Sequence, residues 1–281
     1  MLWTMLACVG GTTPDDGYTE SATDSAPPTT AAPAPQPYSG GECPAFEHGR
    51  NTFTSAGKER EFLMKLPDDP YGAPVWFNWH WLGGDAAGGM QYQDLNDVKN
   101  AGWIVVAPEA LSNQAATEWA FMDSMDPTKD LTLFDDLISC LDAQFDIDND
   151  RVYTTGMSAG GLWSTFLAMH RSEYLAAAAP LSGGTGQFMS YSTPERDLPV
   201  LLTWGGEDDL YSGLSFHDAS LEFREDLQAD GHWVGACVHD NGHNLPQGGT
   251  AYTLQFFTDH VYGADVVGFN GESVYPDWCS E

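Results

Sequence analysis

Two rhythms of apolar and polar residues alternate along most of this chain. Residues 61–66 form a short strand candidate closed by Pro67-Asp68-Asp69-Pro70, and the aromatic run 75–81 follows it and ends at Gly83-Gly84. A stretch over 92–99 reads as helical. Residues 103–107 are apolar throughout between Gly102 and Pro108, as expected of a strand buried on both faces. Leu131, Phe134, Leu137, Ile138 and Leu141 then recur at helical spacing behind Asp126-Pro127, a start signal. The order repeats: strand 151–155, helix 160–172, strands 176–181 and 199–204, helix 214–229, strand 234–239 and a last helix over 251–261. Such alternation predicts an α/β fold, a mostly parallel central sheet with helices on both faces, whose function lies at the carboxyl ends of its strands.

The flanks follow a different pattern. The first ten residues are apolar but too short to span a bilayer, and Leu6-Ala7-Cys8-Val9 is similar to a bacterial lipobox, which would place a lipid anchor on Cys8. Residues 11–42 are rich in Ser, Thr, Ala and Pro, and no Lys or Arg precedes Arg50, so this stretch reads as a disordered linker. Residues 43–281 read as one catalytic domain, which we expect to be secreted or held at the cell surface, and monomeric. Setting Cys8 aside leaves Cys43, Cys140, Cys237 and Cys279, with no C-x-x-C spacing, which favours disulfides over metal ligation. Their connectivity is open, with Cys43 to Cys279 a candidate staple between the ends of the domain.

Charge narrows the partners. The 281 residues carry 41 Asp and Glu against 10 Lys and Arg, a formal charge of −31, which repels phosphate backbones and anionic headgroups and excludes nucleic acid. A surface this acidic suits a neutral or cationic substrate and a saline medium, although solubility alone would also account for it.

Gly156-Met157-Ser158-Ala159-Gly160 is the one G-x-S-x-G in the chain, and it lies between a strand and a helix candidate. That context is the one a nucleophile elbow requires: a tight turn lifts the serine hydroxyl out beside a helix N-terminus, which favours a developing oxyanion. A serine hydroxyl needs a base to take its proton, and in such folds the chain order is serine, acid, histidine. After the strand 199–204 comes Gly205-Gly206-Glu207-Asp208-Asp209, where Asp208 is the first choice of acid and Asp209 the reserve. Of the histidines that follow, His243 lies in a loop just past a strand, whereas His239 falls in the strand pattern and His260 in a helix.

The segments 148–161, 204–208 and 237–246 together resemble the polyhydroxybutyrate depolymerase and feruloyl esterase branch of the α/β-hydrolases, over about residues 45–262. In that branch a D-x-x-R-V-Y segment leads into the elbow, an H-G-x-x-D turn carries the acid and a G-G-H-x-x-P-like turn carries the base. The resemblance therefore implies an α/β-hydrolase fold with Ser158, Asp208 and His243 as catalytic residues. Its H-G-x-G-G loop corresponds to His80-Trp81-Leu82-Gly83-Gly84, with Trp81 where glycine is usual. By the same resemblance the backbone N–H groups of Leu82 and Ala159 form an oxyanion hole, and His80 braces the loop. Trp81 and Trp163 border the nucleophile and are expected to form a flat wall for an aromatic acyl group or a polyester chain. Phosphate-loop, zinc and EF-hand patterns are missing, so neither cofactor nor metal is expected.

The expected function is an exported serine hydrolase acting through an acyl-enzyme on a carboxylic ester, polymeric or feruloyl-type. A serine peptidase of the same fold, and a surface-tethered binding module without turnover, are the alternatives.

Overall fold

The apolar runs become the centre of one sheet in a computed structural model that describes residues 31–111, 119–269 and 274–281. The chain enters through an antiparallel pair, β1 (Gly49–Ser55) and β2 (Lys58–Lys65). There follow β3 (Val75–Trp79), helices α1 (Ala86–Tyr92) and α2 (Asn96–Asn100), β4 (Ile104–Pro108), α3 (Thr128–Phe145), β5 (Val152–Met157), α4 (Ala159–His170), β6 (Ala177–Leu181) and β7 (Val200–Trp204). A hairpin of β8 (Leu210–Tyr211) and β9 (Leu214–Ser215) leads into α5 (Phe216–Ala229), β10 (Val234–Val238), α6 (Gly249–Asp259) and the short β11 (Cys279–Ser280). Nine strands form the sheet in the order β1-β2-β4-β3-β5-β6-β7-β10-β11. Its six central strands run parallel, and antiparallel strands close both edges. This is the expected α/β architecture.

Successive residues of a strand point to opposite faces, and β3 shows what each face meets. Val75, Phe77 and Trp79 pack with Leu137 of α3, Leu162 of α4 and Phe223 of α5. Trp76, on the other side, packs with Met90, Val98 and Phe256 of α1, α2 and α6. Burying each such side chain contributes about 2 kcal/mol, and doing so on both faces explains why β3 to β7 have no exposed position.

Several boundaries differ from the sequence reading. β1 is an additional strand: its inward positions are Asn51, Phe53 and Ser55, and two polar residues of three conceal the alternation. They are buried because they are bonded, Asn51 to the Glu47 carbonyl and Ser55 to Asp136. The single helix expected over 92–99 is two helices, broken where Asp94 takes a φ of 48°. Asp85 starts the first of them by accepting the Gly88 N–H at 2.6 Å. α5 starts two residues later than expected, because the hairpin occupies 210–215 and Ser215 caps the helix.

The expected staple between Cys43 and Cys279 is replaced by two other disulfides, Cys43–Cys140 and Cys237–Cys279. Cys43 lies against α3, and Cys237 and Cys279 are direct partners in the β10–β11 register, so each cysteine has a nearer partner than the far terminus. Residues 31–42, expected to be linker, run along the domain. The Ala32 N–H donates to Asp150, Gln36 to Tyr174, and Ser39 to Asp136 through both its N–H and its hydroxyl, while Tyr38 stacks on Phe53. Cys8 and residues 11–30 lie outside the described residues. Among those described, no helix is long and apolar enough to cross a membrane, and no cluster of His, Cys, Asp and Glu could hold a metal ion.

Candidate active site

Ser158 stands at the junction of β5 and α4 with φ 58° and ψ −120°, a backbone conformation that residues with side chains rarely adopt. The turn is held from both sides: Ser158 donates its N–H to the Leu181 carbonyl, and its own carbonyl accepts from Leu162 as α4 begins. Glycine is required beside it, since a methyl group on Gly160 would lie 2.0 Å from the Trp79 carbonyl oxygen. Helix α4 thereby packs directly across the end of β3, and its first N–H group, on Ala159, is one that has no acceptor within the helix.

His243 reaches this serine from a loop after β10 that is 85 residues further along, with Nε2 2.9 Å from Ser158 Oγ. Its Nδ1 lies 2.6 Å from Asp209 Oδ1. A carboxylate can only accept, so Nδ1 carries the proton and the Nε2 lone pair faces the serine hydroxyl, which donates to it. Asp209 is fully buried, and its other oxygen accepts from the Ser182 hydroxyl at 2.7 Å and the Gly205 N–H at 2.8 Å. A carboxylate held by charge-assisted bonds on both oxygens keeps a fixed orientation towards the imidazole.

Asp208, the first-choice acid, is therefore replaced by Asp209. Asp208 and Glu207 are exposed, and Asp209 alone turns inward. The reason is a 3-10 turn over Gly206–Asp208, entered through Gly206 at φ 74° and closed by the Asp209 N–H on the Gly206 carbonyl. It carries the chain one residue further before a carboxylate faces the site.

The acid and base loops are also joined to each other. Gly242 donates its N–H to the Gly205 carbonyl at 3.0 Å, and a Cβ on Gly205 would lie 1.8 Å from the Gly242 oxygen. His239 and His260 are engaged away from the serine. Asn241 donates to His239 Nδ1, and His260 bonds to Phe256 and Val267; burial pushes both imidazoles below their ordinary value.

Ser158 and His243 open into a cavity of about 600 Å³ walled by Trp81, Leu82, Tyr92, Met157, Tyr211 and Leu245. Trp81 and Leu82 thus lie where the loop comparison puts them. The Trp81 position, glycine in the family pattern, is not among the residues with positive φ; Gly83, at φ 73°, provides the turn. His80 braces this loop: Nε2 accepts the Ala110 N–H at 3.1 Å, and Nδ1, 2.9 Å from the Trp81 carbonyl, donates to it. Trp163 does not form a substrate wall. It is fully buried, stacked on Phe166 and edge-on to Trp79, because its place in the first turns of α4 faces the sheet. Ser182, Tyr92, Tyr211 and Leu245 are additions to the expected site. Ser182 had a positional signal, directly after the apolar run of β6, where a parallel strand delivers its last residue to the active edge.

A profile of the dienelactone hydrolase family matches residues 86–238, more than half the chain, including Ser158 and Asp209. Feruloyl esterase D of Neurospora crassa is 31% identical over 180 residues, 57% of this chain and 57% of that protein, so the match spans little more than half of the relative. Oxidized polyvinyl alcohol hydrolase of a Sphingopyxis species is 23% identical over 77% of this chain and 80% of its own. The crystal structure of native sOPH superposes with a TM-score of 0.71 at 20% identity, covering 85% of this chain and 96% of the other, a likeness of fold. With its parallel sheet and its serine elbow at the carboxyl edge, the chain has the α/β-hydrolase fold and belongs to the dienelactone hydrolase family.

Proposed function

We propose that this protein is a serine hydrolase of carboxylic esters that works through an acyl-enzyme. The observation that carries the reading is the continuous line of contacts from Asp209 through His243 to Ser158, ending in an apolar cavity. Ser158 Oγ attacks the ester carbonyl as its proton passes to His243 Nε2. The resulting imidazolium is stabilised by Asp209, and the backbone N–H groups of Leu82 and Ala159 take the oxyanion. His243 returns the proton to the departing alcohol, and water then repeats the sequence on the acyl-enzyme to release the acid. The feruloyl esterase relative supports an ester substrate with an apolar part, for which Trp81 is a suitable wall. Two disulfides favour an oxidising location, hence export.

The test is a fluorophosphonate probe together with a 4-nitrophenyl ester. The parent chain is expected to be labelled at Ser158 and to turn the ester over, a matched amide being cleaved far more slowly. Ser158→Ala is expected to lose both labelling and turnover. A folded parent that takes no label would favour a binding module without catalysis.

A further inference from the structure

Of the seven large hydrophobic side chains exposed among the described residues, Leu210, Tyr211 and Leu214 lie on the β8–β9 hairpin, and Tyr92 is a fourth. Tyr92 and Tyr211 both line the cavity that holds Ser158 and His243. Exposed apolar side chains thus concentrate at the mouth of the candidate active site.

The hairpin is built on local chemistry. Ser212 and Gly213 take φ values of 50° and 81°, the two positive φ angles of a two-residue turn whose twist suits paired strands. It springs directly from the acid: Asp209 precedes β8, and the Phe216 N–H donates to the Asp209 carbonyl at 2.9 Å across the hairpin base. Two rings rest against the imidazole of His243, Tyr211 of the hairpin with centroids 5.6 Å apart and Phe216, the first residue of α5, at 4.4 Å. Tyr211 pairs with Leu214 across the strands, which puts both on one face; Leu210 pairs with Ser215 and points to the other. The face that carries Tyr211 therefore carries Leu214 outward from the cavity wall. Two strands of two residues gain nothing from leaving that face in water, so the fold does not account for it. Apart from His243, none of the described residues lining the cavity is acidic or basic, although the chain as a whole carries −31.

We infer that the Tyr211 and Leu214 face of the hairpin binds an uncharged, apolar chain attached to the reacting ester, extending the cavity wall beyond Trp81 and Tyr92. The inference rests on the ester hydrolase reading above and adds to it the substrate class: neutral esters longer than the cavity itself. Because the same hairpin touches His243 through Tyr211, a chain seated on it also holds the imidazole in register, which a short ester cannot do.

The two faces of the hairpin supply the experiment. In the purified chain, kcat/KM is measured for 4-nitrophenyl octanoate against acetate, and for octyl against ethyl acetate, in Leu214→Ser and Leu210→Ser. Leu214→Ser is expected to lower the long-to-short ratio about tenfold on the acyl or the alcohol side, and Leu210→Ser to hold it within about twofold. Thermal melts show that both variants are folded. Equal loss in the two variants, or loss in neither, overturns the inference while a fluorophosphonate-reactive Ser158 leaves the hydrolase reading standing. A parent that takes no probe and hydrolyses no ester overturns both.

Discussion

Asp209 places its Oδ1 2.6 Å from His243 Nδ1, 34 residues away in sequence, while Asp208 beside it faces solvent. The pairing fixes the imidazole tautomer, and that makes the two neighbours distinguishable by the mildest of substitutions. In Asp209→Asn the amide can donate to Nδ1, which leaves the Nε2 proton pointing at Ser158 and no lone pair to accept from it. The expected result is a fall in kcat on the order of 10³ to 10⁴-fold, with the fold retained. Asp208→Asn removes only a solvated charge and should leave kcat within about twofold. Steady-state turnover of a short soluble ester decides, and a larger loss in Asp208→Asn would remove Asp209 from the mechanism.

The contact between Gly205 and Gly242 makes a second prediction, on residues that bear no reactive group. Gly205→Ala would put a Cβ 1.8 Å from the Gly242 oxygen, so the two loops must part. Asp209 receives the Gly205 N–H, and His243 follows Gly242 directly, so the separation is passed to both partners. Displacement by about an ångström costs on the order of 10²-fold in kcat. We expect that loss for Gly205→Ala, with a small change in melting temperature, since the sheet below is untouched. Activity close to that of the parent would show that the two loops move independently of the catalytic groups.

Both disulfides close long loops, with sequence separations of 97 for Cys43–Cys140 and 42 for Cys237–Cys279. Constraint of the unfolded chain then contributes about 2–5 kcal/mol for each. Unfolding in denaturant with and without reductant should show a loss of that size, and peptide mapping without reduction should return these two linked pairs. Recovery of a Cys43–Cys279 peptide would contradict the connectivity.

Strand and helix order was legible because parallel strands buried on both faces are apolar at most positions, and residues 104–107 and 177–181 are so throughout. Ser158 was legible for a related reason: the elbow needs small residues at fixed offsets, and those offsets are visible in a string of letters. The acid was not, because Glu207, Asp208 and Asp209 are chemically alike and a single turn at Gly206 determines which one faces inward. The dipeptide Ser212-Gly213, which the sequence reading did not use, is a turn signal, and with a hairpin there Asp209 is the last residue before it and the one whose carbonyl closes its base. Trp163 was misplaced for want of a helix phase: closeness to Ser158 in sequence says nothing of which side of α4 meets the sheet.

Stability should fall as the solution is acidified from neutrality, and the cause is histidine. His170, His232, His239 and His260 are all held below the ordinary imidazole value of 6.5, in each case chiefly by burial. Hydrogen bonds on three of them need the neutral ring: His232 Nδ1 accepts the Leu198 N–H at 3.1 Å, His239 Nδ1 accepts from Asn241, and His260 Nε2 accepts from Val267. Below about pH 6.5 the unfolded chain binds protons that the folded chain refuses, so the derivative of unfolding free energy with pH is positive. The contribution is complete above that pH and is lost progressively as the pH drops towards the folded-state values. Glu173 and Asp226, raised by burial, act in the opposite sense, so the total slope alone does not identify the histidines. His232→Asn does: its Oδ1 can take the place of Nδ1 as acceptor for Leu198 and cannot be protonated in this range. Melting temperatures between about pH 7 and 5 should fall less steeply in His232→Asn than in the parent, and parallel curves would show that His232 is as readily protonated folded as unfolded.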